Sequence, residues 1–496
     1  MKWLTKSDYL KYLIHPAYLW IQKYHIDLLP EFDESAQFNV SQGNEVELEA
    51  RKLFPHGILV NEEIFQKSAR TQEIILQGLS DPDLTIFQAS VLTSRNLFAS
   101  ADVLKKNGSG WDLFEVKSSS AVRTQHIQDL AFQKLAFEEA GLPITRLYIV
   151  YINRNYVLAR QLDPKKLFKI ENVSEQIGDI AIETADNVGD ALEVLKLTEQ
   201  PNDDPLYAKN FGAWLPLYRN LHPELISTSI YHLKRLTLPQ LTVFRERAIS
   251  DVAEIPLNMK LLAQQRAYLE SLALARPAIH HQKIRYWLDQ LRFPIQFLDY
   301  ETYNTPIPLW SGQSPYQQLP FQYSLHILPG LDLPLVQKEY LAKGDIDPVV
   351  ALLDRLETDI DRNGSVLVWF KDFEMSRNLE MAKLHPKYAS LLTTINSNIF
   401  DLMEVFSNFW YVDPRFGGSV SIKNVLPALV PELTYSNLEI QKGDIAQIRW
   451  TRAVKGELSQ MEADKVFADL LNYCEQDTLA MVKIYEFLRG ITSPAS

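Results

Sequence analysis

Helical and alternating periodicities of apolar positions sort most of the chain into elements. Between residues 7 and 24, Tyr9, Leu10, Tyr12, Leu13, Leu19 and Trp20 predict helix. Val46, Ala50, Leu53 and Phe54 recur at helical spacing, and Pro55 ends that run. Three strand-like runs follow, at 85–91, 97–104 and 111–117. The last two are joined by Asn107-Gly108-Ser109-Gly110, a tight-turn sequence. Residues 124–137 predict a helix with Ile127, Leu130, Ala131 and Leu135 inward, and 146–152 a buried strand. Residues 162–200 read as a peripheral extension, and the chain from there to about 290 as helical. A second series then begins. Ile295 to Leu298 suits a buried strand, 320–327 and 335–341 continue it as a meander, 347–361 is a helix, and 365–370 is another buried strand. Near the end, Leu470, Tyr473, Asp477, Ala480 and Met481 fall broadly on one side of a helix.

Composition narrows the class. A chain of 496 residues is too long for one ordinary core, so two or three domains are expected. The hydrophobic share of 46% and charged share of 23% are those of a soluble globular protein. No apolar run reaches the length of a membrane span, and the first residues lack the apolar core of a signal peptide, which gives a cytoplasmic expectation with no membrane partner. The single cysteine, Cys474, excludes an intramolecular disulfide framework and any all-cysteine zinc or iron–sulfur site within one chain. A net charge of −12 is not that of a bulk nucleic-acid coat, yet local basic grooves and metal-binding acids fit inside such a balance.

Two carboxylates, Asp299 and Glu301, stand at positions i and i+2 where the apolar strand ends, so they share one face. Together they repel, and a hard divalent cation such as Mg²⁺ removes that repulsion. By itself the pair fits better as two solvated acids at a strand end. On the late helix Tyr473 and Asp477 are four apart and stack on one face. An acid on an otherwise apolar face calls for a partner, which a salt bridge would also supply. Asp-x-Glu on a strand with Tyr-x-x-x-Asp on a late helix resembles the first and last motifs of the DEDD-type 3′-to-5′ exonucleases, in their tyrosine-bearing branch. That resemblance covers about residues 290–490 and implies a ribonuclease-H-like fold with a mixed sheet. It makes Asp299, Glu301, Glu374 and Asp477 the metal acids of a phosphodiester hydrolase using Mg²⁺ or Mn²⁺, with Tyr473 orienting water. Glu374 follows the 365–370 strand, where the family more often has aspartate, and helix N-terminal charge complementarity explains it as well. Asp401 completes or supports the set. Lys423, with the N–H groups after Ser421, is a candidate phosphate contact.

In the first part, pairing across the 107–110 turn brings Asp102 towards Glu115 and Lys117, which share a strand face. Asp102 and Glu115 suit a divalent metal, and Lys117 suits water positioning or phosphate charge. A plain salt bridge is the alternative, and a partly exposed Lys117 would carry little stability. The order helix, three strands, helix, strand resembles the PD-(D/E)XK nucleases, a restriction-endonuclease-like fold, in their RecB-like branch. The resemblance covers residues 1–200 and implies metal acids at Asp102 and Glu115, catalytic roles for Lys117 and Gln133, and Glu47 where the branch often has histidine. Phe137 stands where tyrosine is usual. Many relatives bind an iron–sulfur cluster through cysteines. Here His15 occupies the first position and 207–223 has no cysteine, so no cluster is expected, and aromatic packing by Trp20, Phe211, Trp214 and Tyr218 would take over its stapling role.

The expected architecture is α/β: a RecB-like domain at 1–200, a helical connecting region at 201–290, and a DEDD-type domain at 291–496. The pairing resembles a bacterial family whose biological process is open. A faint helix-hairpin-helix pattern between Tyr231 and Pro256 has Ala248 where glycine is needed and reads better as a packing linker. His280-His281 reads as a surface pair. The implied activity is metal-dependent hydrolysis of nucleic acid, DNA before RNA. The alternative is a binding or scaffold protein with one or both sites inactive.

Overall fold

A computed structural model describes residues 2–331 and 333–493. The fold is mixed α/β, and the chain sorts into two compact units. Unit 1 comprises 1–225, 237–242 and 305–316; unit 2 comprises 226–236, 243–304 and 317–496. The 201–290 stretch is thus divided between the units.

Unit 1 is built on one sheet of seven strands: β1 (Leu4–Thr5), β2 (Ile58–Leu59), β3 (Thr85–Leu92), β4 (Leu97–Asn107), β5 (Gly110–Lys117), β6 (Ile144–Ile152) and β7 (Phe168–Asn172). The order is β2-β3-β4-β5-β6-β7, with β1 on the end of β4. The β3-β4-β5 meander is antiparallel, while β6 runs parallel to β5 after the helix Thr124–Glu139. Helices Lys6–Tyr12, Pro16–Tyr24, Thr124–Glu139 and Ala181–Val194 contribute to one apolar core, with Tyr9, Leu19, Phe132, Val188 and Ala191 fully buried or nearly so. Val46 and Ala50 of the helix Glu34–Arg51 pack in a second core with Phe87, Val103 and Val116. Strands buried on both faces read as near-continuous apolar runs, which is why 146–152 shows no alternation.

The peripheral reading of 162–200 is corrected. Strand β7 pairs antiparallel with β6, and Val188 and Ala191 have no exposure. The segment's many charged residues line an amphipathic helix whose inner face completes the core.

Unit 2 carries β9 (Ile295–Tyr303), β10 (Leu319–Leu328), β11 (Val336–Leu341), β12 (Ser365–Val368) and β13 (Ile399–Asp401), β8 (Ala278–Ile279) lying in a separate two-stranded ribbon. The sheet order is β11-β10-β9-β12-β13. The first three strands are antiparallel and the last two run parallel to β9. Strand β12 starts hard against the first strand: a Cβ on Gly364 would lie 2.1 Å from the Pro294 carbonyl oxygen, so only glycine fits there. The helix Gln460–Thr492 packs along β9 and β10 and carries Tyr473 and Asp477.

The region between Tyr231 and Pro256 is no helical hairpin. Short 3₁₀ turns at Ile230–His232 and Val252–Glu254 flank a helix at Leu238–Glu246, with Ala248 at φ +55°. His280 caps the helix His281–Leu288, and His281 faces the Ile491 carbonyl. His15 is buried and stacks on Trp214 at 4.3 Å; its Nδ1 accepts the Ala17 N–H and its Nε2 faces the Asp204 carbonyl. Among the described residues no helix is long and apolar enough to cross a membrane.

Candidate functional site

In unit 1 the β4–β5 register puts Asp102 opposite Glu115, since Val103 pairs with Phe114. Asp102 Oδ2 accepts the Val116 N–H at 2.7 Å. Its other oxygen accepts from Gln88 Nε2 at 3.1 Å, and the same amide nitrogen donates to Glu47 Oε1 at 2.6 Å. Gln88 reaches both acids because it leaves the ladder: Phe87 and Ala89 pair with β4, while Gln88 sits at φ +54°. A non-glycine residue in that region costs about 1–3 kcal/mol and persists only when its surroundings hold it. Glu47 also accepts from Arg51 at 2.6 Å, one helical turn on.

Glu115 is buried, and two lysines meet its Oε1: Lys6 at 2.6 Å and Lys117 at 2.7 Å. Lys117 also bonds Asp129 Oδ2 at 2.5 Å, and Lys6 lies 3.8 Å from the same atom. Gln133 Nε2 donates to Glu115 Oε2 at 2.7 Å and to Asp129 Oδ1 at 3.0 Å, leaving its buried Oε1 without a partner. Burial alone would raise Glu115, but Lys117, Lys6 and Gln133 together hold its carboxyl well below the usual range. Burial beside Glu115 pushes Asp102 up to about 7. Lys117 is partly exposed, as expected, but its ammonium bridges two buried carboxylates, a contact that the expectation of a low stability cost did not include. Lys6, Gln88 and Asp129 were missing from the predicted set. Asp129 stands one turn before Gln133 on the same helical face and was findable by that spacing. Lys6 had no local signal, and neither did Gln88.

In unit 2, Asp299 and Glu301 share a face of β9. One carboxylate oxygen of each and the Cys474 sulfur all lie within 4.8 Å of one another. Glu374, one turn into the helix Lys371–Leu384, is 1% exposed, and its Oε2 has no hydrogen-bond partner. Asp477 accepts from the Tyr435 hydroxyl at 2.6 Å, and Tyr473 is buried on the preceding turn. Lys423 Nζ lies 3.5 Å from the Tyr473 hydroxyl, over the rings of Tyr435 and Tyr473, and donates to the Gln441 carbonyl.

None of these four carboxylates makes an ion pair among the described residues. Arg377, beside Glu374, is committed to Glu380 and Gln318. Burial and mutual repulsion therefore decide their chemistry. Burial, then Asp477, holds Asp299 well above its ordinary value; burial, then Asp299 and Asp477, does the same to Glu301; burial, then Asp299, raises Glu374. Asp477 is pushed up to about 6 by burial, moderated by Tyr435 and Lys423. Tyr435 and Tyr473 are held protonated by burial and by Asp477.

Asp401 stands apart from this cluster in role. Both its oxygens accept backbone N–H groups, from Phe370 at 3.0 Å, Lys371 at 3.1 Å and Met403 at 3.0 Å. Phe370 sits at φ +79°, and Asp401 holds that left-handed turn which launches the helix bearing Glu374. Of the two roles expected for Asp401, these hydrogen bonds fit the supporting one.

The acid cluster suits a hard divalent cation. Carboxylate oxygens are the donors such a cation takes: one each from Asp299 and Glu301 converge, and the buried Glu374 Oε2 has no hydrogen-bond partner among the described residues. Gly443 lies alongside Glu301: a Cβ there would lie 3.4 Å from Glu301 Oε2, an ordinary contact. Tyr435 and Cys474 were not predicted as members: Tyr435 lies 42 residues before Asp477 in sequence.

Residues 296–421 match the family model described as a domain of unknown function, DUF2779. The chain is similar to "Uncharacterized protein MG366" of Mycoplasma genitalium, 29% identical over 213 residues, which is 39% of this chain and 32% of the relative. A Mycoplasma pneumoniae homologue is 27% identical with the same coverage. "Uncharacterized protein UU173" of Ureaplasma parvum is 26% identical over 223 residues, 40% of this chain and 32% of the relative. The matched region therefore spans about a third of the length of these curated relatives.

Proposed function

We propose that the chain is a metal-dependent nuclease that hydrolyses phosphodiester bonds of nucleic acid, with a 3′-to-5′ exonuclease site in unit 2 and a PD-(D/E)XK-type site in unit 1. The observation that carries this is the group of Asp299, Glu301, Glu374 and Asp477: four carboxylates with no ion pair, and one oxygen without a hydrogen-bond partner, among the described residues. The sheet order β11-β10-β9-β12-β13 supports a ribonuclease-H-like reading of unit 2. The antiparallel β3-β4-β5 meander, helix and parallel β6 support the PD-(D/E)XK reading of unit 1.

Asp299, Glu301, Glu374 and Asp477 would hold hard divalent cations, whose chemistry when bound would be to neutralise charge on the phosphodiester and on its attacking and leaving oxygens. The chain's own groups do the rest. Tyr473, kept protonated, is a fixed hydroxyl for orienting the attacking water, and Tyr435 holds Asp477 in place through a 2.6 Å hydrogen bond. Lys423, over the tyrosine rings, offers an ammonium to a phosphate. In unit 1, Lys117 has the same task beside Asp102 and Glu115, and Gln133 fixes the Glu115 carboxylate.

The test is degradation of 5′-labelled single- and double-stranded DNA and RNA with Mg²⁺, Mn²⁺ or EDTA. The expected result is a descending ladder that requires metal. Tyr473→Phe should slow it by roughly 10- to 10⁴-fold, the range for positioning and proton-transfer groups, without changing metal binding. A second reading, with the unit 1 site closed to catalysis, is favoured by the pairing of its acids with Lys6 and Lys117. A ladder unaffected by Asp102→Asn would support it.

A further inference from the structure

We infer that Cys474 is a metal ligand, and that with Asp299 and Glu301 it forms a site for a thiophilic divalent cation of the Zn²⁺ class, overlapping the hard-cation site. This rests on the reading of those acids as a metal cluster.

The geometry is that of a ligand set. Cys474 Sγ lies 3.7 Å from Asp299 Oδ2, and a Glu301 oxygen completes a triad within 4.8 Å. A tetrahedral Zn²⁺ with metal–oxygen bonds of roughly 2.1 Å and metal–sulfur bonds of roughly 2.3 Å separates sulfur from oxygen by roughly 3.6 Å. The Cys474–Asp299 spacing, at which the thiol now donates a hydrogen bond to the carboxylate, needs almost no adjustment. Cys474 is fully buried, and Asp477 follows it by three positions, on the same helical face. The Oε2 of Glu374, itself 1% exposed, has no hydrogen-bond partner among the described residues, and after burial it is the Asp299 charge that most raises this carboxyl. A buried carboxyl oxygen left unpaired calls for a donor or a cation.

The donor set decides the class. Carboxylates alone favour Mg²⁺ and Mn²⁺, whereas a thiolate shifts preference towards Zn²⁺ and its softer congeners. On binding, the sulfur–metal bond forms, the S–H bond breaks and the proton leaves to solvent. Zn²⁺ then occupies two of the acids that the hard cations use, so it competes with them.

The test uses the full-length, metal-free protein titrated with Co²⁺ as a spectroscopic stand-in for Zn²⁺. Cys474 is the only cysteine, so any thiolate-to-cobalt charge-transfer band in the near ultraviolet arises from it. The expected result is one such band saturating at one equivalent, bleached by Zn²⁺ and absent in Cys474→Ser and Asp299→Asn. Zn²⁺ affinity should fall more than about 100-fold in Cys474→Ser, beyond the loss typical of an outer-shell partner. Wild-type protein that binds Co²⁺ without the band overturns the inference whatever the variants do, as does protein that binds no Co²⁺. Nuclease activity with Mg²⁺ is read on the same sample. Activity without the band sinks only the Cys474 site; the band without activity sinks only the nuclease reading.

Discussion

The two acidic clusters differ in what faces their carboxylates. In unit 1, Glu115 and Asp129 meet Lys6 and Lys117, Glu47 meets Arg51, and Gln88 and Gln133 donate to the acids between them. In unit 2, the acids meet a phenol, a thiol and one another. The same chemical type therefore diverges: in unit 1 Glu115 is held low while its neighbour Asp102 is pushed up to about 7, whereas in unit 2 Asp299, Glu301 and Glu374 are all held high. Buried charge has to be neutralised, and the first cluster does so with covalent parts of the chain. In the second, burial and mutual repulsion raise the carboxyls instead.

The largest effect expected from this difference is on activity. Asp299→Ala or Asp477→Ala should each remove nearly all unit 2 activity, on the order of a thousandfold or more, with the double variant little worse than either single one. A 5′-labelled strand in an Asp102→Asn background reads this directly. Additive losses would mean that the two acids do not share one centre.

Stability should separate the clusters next. Lys117→Ala strips a cation from two buried carboxylates and should cost about 3 kcal/mol, the low end for a broken buried pair because Lys6 still meets Glu115. Lys423→Ala, which breaks no ion pair among the described residues, should stay within about 1 kcal/mol. Urea unfolding measures both, and equal costs would erase the contrast.

The smallest effect is a pH dependence. Asp477 has a folded value of about 6, above the ordinary carboxyl value. Such an acid takes up a proton on folding between the two values, so it favours the folded state at low pH and withdraws that support as pH rises. Without metal, wild type should gain on Asp477→Asn as pH falls from 7 to 4, by about 2 kcal/mol in all. Saturating Mg²⁺ should remove the trend. Glu115 runs the other way: its support is full above the unfolded value and is lost on acidification. A stability gap between wild type and Asp477→Asn that is flat across pH 4–7 would place Asp477 in ordinary solvent.

Strand and helix positions were legible wherever one periodicity ruled. The meanders at 85–117 and 295–341, the helix at 124–139 and the late helix all follow from apolar spacing. So do Asp299 with Glu301, and Tyr473 with Asp477, because short spacing on a known element fixes a shared face. The 162–200 segment was misread because its charged outer face hid the buried stripe of Val188 and Ala191.

What the sequence determined by itself is local: which residues form elements, and which neighbours on an element look the same way. Only the tertiary structure decided what those faces meet. Lys6, 109 residues from Glu115, supplies a charge that no spacing rule could assign. Gln88 reaches two acids only through a break in the ladder, and Asp401 turned out to hold a strained turn. The reason is physical. Element formation is governed by interactions a few residues apart, whereas the protonation of a buried carboxylate depends on every charge and dipole within several ångströms, whatever its distance along the chain.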